Sequence, residues 1–191
     1  LDNLDLLKNQ LDEIRPDIIL NCGAYTAVDK AETEKELAFT INHLAVELIA
    51  KYAFDNDVKL IHVSTDYVFD GSSSSALKEE AKTNPINVYG ASKRAGEIAG
   101  LEKNPNAIIL RTSWVYSKFG NNFVKTMQRL MTERDAINVV NDQIGSPTYA
   151  GDLAQAMIDI VEFPNWNPGI YNYSNEGEIS WYEFALSIKE F

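Results

Sequence analysis

Three apolar runs, each followed by a helical pattern, constrain the fold of this chain most strongly. They cover residues 17–22, 58–64 and 107–112, and they are apolar nearly throughout instead of alternating with polar residues. A further strand is expected at 169–173. Strands that are apolar on both sides are covered on both faces, which is typical of parallel sheets in α/β proteins. The alternation therefore predicts a doubly wound parallel sheet.

Apolar residues at helical spacing predict the connecting helices, beginning with one over 4–14. Ser180 is followed three residues later by Glu183, which predicts a capping box at the start of the last helix. The remaining predicted elements are helices over about 34–55, 88–102 and 149–161 and a short strand over 137–140.

Charge and composition exclude several classes of function. The 191 residues carry a net charge of −11, which disfavours nucleic acid and anionic membranes as partners. No apolar run approaches the roughly 18 residues that a membrane span needs. Cys22 is the single cysteine, so no internal disulfide can form and a cytoplasmic location is expected. His43 and His62 have no partner at ligand spacing, so no metal site is expected.

Polar residues follow three of the predicted strands. They are Asn21 and the small residues after it, the segment 64–67 (Ser-Thr-Asp-Tyr), and the segment 111–114 (Arg-Thr-Ser-Trp). Ligands of doubly wound sheets bind at the carboxyl ends of the strands. These three segments are therefore candidates for a binding site, although each is also compatible with capping or packing alone.

Tyr89 and Lys93 form the sharpest feature of the chain. They lie four residues apart at a predicted helix start, and therefore on one helix face. Lowering a tyrosine pKa from about 10 to about 7 requires roughly 4 kcal/mol of preferential phenolate stabilisation, which only a desolvated site can supply. The pair therefore indicates acid–base catalysis if a pocket covers it.

Taken together, these motifs resemble the dTDP-4-dehydrorhamnose reductase family, within the extended short-chain dehydrogenase/reductases. Tyr89-x-x-x-Lys93 marks the superfamily, and Ser-Thr-Asp-Tyr-Val-Phe-Asp-Gly over 64–71 is more specific. Tyr67 stands where related sugar-nucleotide 4,6-dehydratases tend to carry Glu, which disfavours dehydration. The matching segments are 15–17, 21–32, 64–71, 89–93, 111–116, 122–124, 142–148 and 180–185.

The resemblance implies a Rossmann-like fold and an NADPH-dependent reduction, with NADH as the alternative cofactor. Tyr89 would donate a proton to the C4 keto oxygen of dTDP-4-dehydro-L-rhamnose, which the Thr65 hydroxyl would also contact. Lys93 would lower the pKa of Tyr89 and bind the nicotinamide ribose. The implied cofactor-binding residues are Gly23, Ala24, Tyr25, Thr26, Val63, Tyr89 and Lys93. The implied substrate-binding residues are Thr65, Asp66 and Trp114.

Two other interpretations stay open. One is a non-catalytic, reductase-like binding or regulatory subunit, and the other is a different nucleotide-sugar reductase or epimerase. The partner expected for the enzyme is a nucleotide sugar, and the family resemblance also allows a homodimer. Retention of Thr65, Tyr89, Lys93 and Trp114 together favours the enzyme.

The chain also departs from the family pattern. Cys22 and Gly23 replace two alanines, and Ala76-Leu77-Lys78-Glu79 replaces Pro-Tyr-x-Glu in the long loop 70–87, which weakens the expectation of loop closure. The run Gly71-Ser72-Ser73-Ser74-Ser75 indicates local mobility. The family's opening strand and glycine-rich phosphate loop do not occur in the sequence, which begins without methionine.

These absences lead to the expectation of an incomplete fragment that folds but is inactive alone. Its first strand should form an exposed apolar edge of the sheet. Residues 1–140 would be the remainder of the dinucleotide-binding domain. Residues 141–191 would be mainly a substrate-binding region, interleaved with the strand near 169–173.

Overall fold

The computed structural model describes residues 1–73 and 75–190, so Ser74 of the serine run lies outside the described residues. The chain divides into two compact units. The first contains Leu1–Arg111 and Pro164–Asn172, and the second contains Thr112–Phe163 and the segment from Tyr173 onward. The functional division at residue 140 stays a prediction.

The first unit contains a sheet of four strands in the order β1 (Ile18–Asn21), β2 (Lys59–Thr65), β3 (Ile108–Thr112) and β7 (Gly169–Asn172). Strand β1 runs parallel to β2, with Ile18 opposite Lys59, and β3 runs parallel to β7, with Ile108 opposite Gly169. This confirms the predicted α/β fold with a parallel sheet. The elements of this unit are α1 (Leu4–Ile14), β1 (Ile18–Asn21), α2 (Val28–Ala31), α3 (Lys35–Phe39), a π-helical turn (Thr40–Leu44), α4 (Ala45–Asp55), β2 (Lys59–Thr65), a 3-10 turn (Asp66–Val68), α5 (Val88–Lys103), β3 (Ile108–Thr112) and β7 (Gly169–Asn172).

Strand β1 lies at the edge of this sheet, as predicted. Its Ile18 and Leu20 side chains are 38% and 36% exposed, whereas Leu60 and Ile61 of β2 are almost fully buried. The core beside β1 and β2 is formed by α1, α4 and Ala107, which directly precedes β3, and the small side chains of α4 allow close packing. Its buried members are Leu11, Ile49, Ala50, Ala53, Leu60 and Ala107.

The helix predicted over 34–55 is interrupted by the π-helical turn Thr40–Leu44. Gly96 of α5 packs against this turn, because a Cβ atom there would collide with the main-chain oxygen of Asn42. Short π-helical insertions occur frequently at functional sites. The turn places the side chain of Asn42 in the interior, where it is completely buried.

The second unit packs two helices around an aromatic cluster. Phe184 and Met127 form its centre, with Trp114, Trp181 and Phe123 packed around them. Strand β4 (Val115–Tyr116) pairs parallel with β6 (Thr148–Tyr149), and β5 (Ile144–Gly145) pairs antiparallel with β8 (Ile179–Ser180). The elements of this unit are β4 (Val115–Tyr116), α6 (Phe123–Glu133), β5 (Ile144–Gly145), β6 (Thr148–Tyr149), α7 (Ala150–Glu162), β8 (Ile179–Ser180) and α8 (Trp181–Glu190).

Two predictions about this unit have opposite outcomes. The capping box is confirmed, because Glu183 N–H donates to Ser180 Oγ over 3.1 Å and Ser180 N–H donates to the Glu183 carboxylate over 2.7 Å. The strand predicted over 137–140 is wrong, because that segment has no strand structure. Instead, every second side chain of the segment packs inward, so that Ile137 and Val139 contact the aromatic cluster.

Candidate active site

Tyr89 and Lys93 lie in the first two turns of α5, whose start is fixed by two caps. Asn87 Oδ1 accepts the N–H of Gly90 over 2.7 Å, and Glu32 Oε1 accepts the N–H of Val88 over 2.8 Å. Tyr89 is 9% exposed and Lys93 is 1% exposed. The pair is therefore buried. Burial is the condition under which a tyrosine and a lysine four residues apart indicate acid–base catalysis.

Tyr89 is buried because helices α2 and α3 cover its ring. Ala31 and Ala38 form an apolar cluster with it, and the ring of Tyr67 packs edge-on at a centroid distance of 5.4 Å. Burial raises the pKa of Tyr89 to about 12, and the nearby Asp66 and Tyr67 add to the rise while Thr65 opposes it. The pKa shift is therefore opposite to the predicted lowering by Lys93, because desolvation of the phenolate dominates.

Lys93 directs its ammonium group toward β2. Its Nζ donates to the main-chain oxygen of Val63 over 2.7 Å and lies 3.4 Å from Nε2 of His62. Burial lowers the pKa of Lys93 to about 8, although Glu97 and Cys22 oppose this shift. The ammonium form thus predominates at neutral pH in a largely desolvated position.

Thr65 and Asp66 lie where β2 ends and the 3-10 turn begins. The Thr65 hydroxyl accepts the N–H of Tyr67 over 3.2 Å and donates to Asp66 Oδ1 over 3.1 Å. Thr65 is 5% exposed, and burial raises the pKa of Asp66. The end of β2 therefore presents a hydroxyl and a carboxyl group beside Tyr89.

The predicted cofactor-binding segment follows β1 and is held by a residue that the sequence did not single out. Asn42 Oδ1 accepts the N–H of Tyr25 over 2.8 Å, and Asn42 Nδ2 donates to the oxygen of Tyr25 and to Ser92 Oγ, each over 3.0 Å. An asparagine inside a predicted helix carries no sequence signal for this role. The Tyr25 hydroxyl donates to Glu34 over 2.6 Å, and Gly23 and Thr26 are exposed beside it.

A buried carboxylate, Glu97, lies one turn beyond Lys93 and was also not predicted. It accepts hydrogen bonds from Arg111, Arg94 and the Ser64 hydroxyl while being fully buried. These contacts connect α5 to the ends of β2 and β3. The sequence signal was weak, because Arg111 and Glu97 are separated by 14 residues.

The long loop 70–87 is attached to the sheet by hydrogen bonds around Glu79. Glu79 Oε1 accepts the N–H of Asn172 at the end of β7 over 2.9 Å, which lowers the pKa of its carboxyl group. The Glu79 main-chain oxygen accepts from Arg111 over 3.0 Å, and the oxygen of Leu77 accepts from the Asn172 amide over 3.0 Å. The substituted segment 76–79 is thus tied to the sheet despite lacking proline and tyrosine.

Trp114, the remaining predicted substrate residue, belongs to the second unit. Its indole stacks on that of Trp181 with a centroid distance of 3.5 Å and an interplanar angle of 11°. Its φ of 47° is unusual for a bulky residue, and its main-chain oxygen accepts the N–H of Thr148 over 3.2 Å. Gly145 leaves room for the ring, because a Cβ there would lie 2.7 Å from the indole.

The family model described as the RmlD substrate binding domain matches residues 1–191. The chain belongs to this family. It is 45% identical to a dTDP-4-dehydrorhamnose reductase of Aggregatibacter actinomycetemcomitans, covering 98% of this chain and 65% of that protein. It is 47% identical to the Escherichia coli K12 protein of the same name, covering 93% of this chain and 60% of the relative.

Solved structures of RmlD relatives share the fold. A Bacillus anthracis dTDP-4-dehydrorhamnose reductase, crystallised in complex with NADP, matches with a TM-score of 0.93 and 46% identity. The match covers 99% of this chain and 67% of that protein. The chain spans about 60 to 65% of the length of these two curated relatives.

Two classes of feature are absent from the described part of the chain. No helix there is long and apolar enough to cross a lipid bilayer. Residues 1–73 and 75–190 contain no group of three or more His, Cys, Asp or Glu side chains placed to hold a metal ion.

Proposed function

We propose that the protein carrying this chain reduces the C4 keto group of dTDP-4-dehydro-L-rhamnose to dTDP-L-rhamnose with NADPH. The observation that carries this proposal is the buried cluster of Tyr89, Lys93 and Thr65 at the carboxyl end of β2. Family membership and relatives named dTDP-4-dehydrorhamnose reductase support the choice of substrate.

Tyr89 is the proton donor in this proposal. With a pKa raised to about 12, its hydroxyl is fully protonated at neutral pH and can give its proton to the oxygen of the reduced carbonyl. The Thr65 hydroxyl, beside it, exchanges its hydrogen bond to Asp66 Oδ1 for one to the same oxygen and so orients the keto group. Tyr89 is 9% exposed, so bulk water has little access to its hydroxyl group.

Lys93 binds the nicotinamide ribose, and the donors on its side chain fit that group. An ammonium has three N–H donors, of which the Val63 oxygen and His62 take two among the described contacts. The remaining donor is suited to a ribose hydroxyl. NADPH supplies the reducing equivalent when bound, and Gly23, Ala24, Tyr25, Thr26 and Val63 would line it.

Asp66 and Trp114 are the proposed substrate contacts. The carboxyl group of Asp66 is a hydrogen-bonding partner for sugar hydroxyls, and the indole of Trp114 is an apolar wall. We also propose that residues 141–191 mainly serve substrate binding, that the protein is cytoplasmic and that it forms a homodimer.

A coupled assay on the full-length protein tests the proposed reaction. The substrate is generated from its sugar-nucleotide precursor, and NADPH consumption is followed in the wild type, in Tyr89→Phe and in the control Tyr171→Phe. Tyr171 is a half-exposed residue of β7 whose hydroxyl donates to the main-chain oxygen of Asn167. We expect Tyr89→Phe to lose about 10²–10⁴-fold in kcat, because the proton donor is removed.

The same assay separates the alternatives. No NADPH consumption by the wild type would favour a non-catalytic binding subunit. Turnover of a different keto sugar in preference to this one would favour another nucleotide-sugar reductase or epimerase. Equal rates for Tyr89→Phe and Tyr171→Phe would contradict the assignment of the proton donor.

A further inference from the structure

The interior side of Lys93 contacts a histidine that the proposed mechanism does not use. His62 lies in β2 and is 1% exposed. Its Nε2 is 3.4 Å from Lys93 Nζ, and its Nδ1 is 3.0 Å from the side-chain nitrogen Nδ2 of Asn21. The three side chains therefore form a buried row from the end of β1 through β2 to α5.

The hydrogen atoms in this row can be assigned from the donors available. A lysine ammonium has three N–H donors and no acceptor, so Nε2 of His62 must be unprotonated to receive one of them. A neutral imidazole then carries its hydrogen on Nδ1. That N–H requires an acceptor. Rotating the side-chain amide of Asn21 by about 180° exchanges its nitrogen and oxygen without changing the shape of the side chain, and it places the oxygen against Nδ1.

The opposite assignment is unfavourable in a buried site. If Asn21 donated from Nδ2 to Nδ1, the ring hydrogen would lie on Nε2 and face the Lys93 ammonium. Two donors would then meet, and each would lack an acceptor away from water. This arrangement is compatible only with a deprotonated Lys93.

The ring is held in its neutral form by its surroundings. Complete burial and the Lys93 charge lower the pKa of His62 well below its ordinary range, and only a main-chain hydrogen bond with Asn21 opposes this. The other titratable groups that act on Lys93 are the Glu97 carboxylate and the Cys22 thiol. A neutral imidazole is therefore a fixed acceptor across the neutral pH range.

We propose that His62 is a positioning residue for Lys93. As the Nδ1–H tautomer held by Asn21, it accepts a hydrogen bond from the Lys93 ammonium and, together with the Val63 oxygen, holds that group in one place. A long, flexible lysine side chain then presents its remaining donor in a single direction. The consequence for catalysis rests on the proposed function, whereas the tautomer and the contact do not.

Nitrogen NMR of the imidazole rings tests the contact directly. In the ¹⁵N-labelled full-length protein near neutral pH, we expect His62 to show a protonated Nδ1 and an unprotonated Nε2. Lys93→Met removes the donor and should shift His62 toward the Nε2–H tautomer. His62→Gln assigns the signals, and His43 serves as an internal reference. An Nε2–H ring in the wild type, or an unchanged His62 spectrum in Lys93→Met, would overturn the proposal.

A pair of variants tests the consequence for the reaction. Gln at position 62 can place an amide oxygen near the location of Nε2, whereas Leu fills a similar volume without an acceptor. We expect His62→Leu to lower kcat by about tenfold or more and His62→Gln to stay within about threefold of the wild type. Thermal unfolding of both variants establishes that they are folded.

The outcomes distinguish this proposal from the proposed function. Equal losses in the two variants would contradict a positioning role for His62. If the wild type consumes no NADPH, the proposed function fails, and the NMR spectra still decide the tautomer. If His62→Leu does not fold, the response of the His62 signals to Lys93→Met remains the deciding measurement.

Discussion

Arg111 and Glu97 form a bidentate ion pair inside the first unit. The guanidinium donates from Nε to Oε1 and from Nη2 to Oε2, each over 2.8 Å. Both side chains are almost completely buried, at 3% and 0% exposure. Because planar guanidinium and carboxylate groups match in this geometry, the pair fixes the position of α5, and with it Lys93, relative to β3.

Breaking this pair should be strongly destabilising. Glu97→Gln leaves the buried Arg111 without a compensating charge, and we expect the free energy of unfolding in urea to fall by about 3–5 kcal/mol. Glu133→Gln is the matched control, because Glu133 pairs with Arg129 on the exposed surface of α6. Its expected loss is about 0.3–0.5 kcal/mol. Similar losses in the two variants would contradict the importance of burial.

Removing the Asn42 amide should loosen the proposed cofactor segment. Asn42→Ala leaves the N–H and oxygen of Tyr25 without their side-chain partner, which should cost about 1–3 kcal/mol of stability and weaken NADPH binding. Fluorescence titration with NADPH measures the affinity. Asn56→Ala is the control, because Asn56 makes one exposed hydrogen bond to Tyr52 at the end of α4. Unchanged NADPH affinity in Asn42→Ala would argue against this role.

The lowered pKa of Lys93 should make stability depend on pH. With a pKa of about 8, Lys93 of the folded protein releases its proton near pH 8, whereas the unfolded chain holds it until near the ordinary lysine pKa of 10.5. The unfolded state therefore binds more protons between these values, and the Lys93 contribution to the free energy of unfolding rises with pH, by at most about 1.4 kcal/mol per pH unit.

Lys93→Met should remove this pH-dependent contribution. We expect the stability of the wild type relative to Lys93→Met to increase as the pH rises from about 8 to 10.5. Lys8→Met is the control, because Lys8 is exposed and Asp12 raises its pKa, so that no such increase is expected in this window. Parallel pH profiles for the wild type and Lys93→Met would contradict the assignment.

The stacked indoles of Trp114 and Trp181 should give a coupled signal in near-ultraviolet circular dichroism. Rings 3.5 Å apart with an interplanar angle of 11° interact strongly, and Trp181→Leu should abolish the coupled bands and lower the melting temperature. Trp166→Leu is the control, because Trp166 donates one hydrogen bond to Asn106 outside this stack. Retention of the bands in Trp181→Leu would contradict a specific stack.

Several parts of the fold and the site could be predicted from local sequence. Spacing alone located α1 and α5, and the pairing of Ser180 with Glu183 located the start of α8. These features depend on residues three or four positions apart, so they are visible in the sequence. The predicted helix over 34–55 overlooked its π-helical turn, because Asn42 leaves no local signal for the partners it finds at Tyr25 and Ser92.

The sequence by itself determined the α/β class and the placement of Tyr89 and Lys93 on one helix face. Tertiary structure alone decided the pKa values and the hydrogen-bond partners of those two side chains. The pKa of Tyr89 rises instead of falling, and Lys93 meets His62 and Val63, because burial and contacts between residues about 30 positions apart set the local electrostatics. These pKa shifts and contacts depend on desolvation and on neighbours that are distant in sequence, so the spacing of residues along the chain does not predict them.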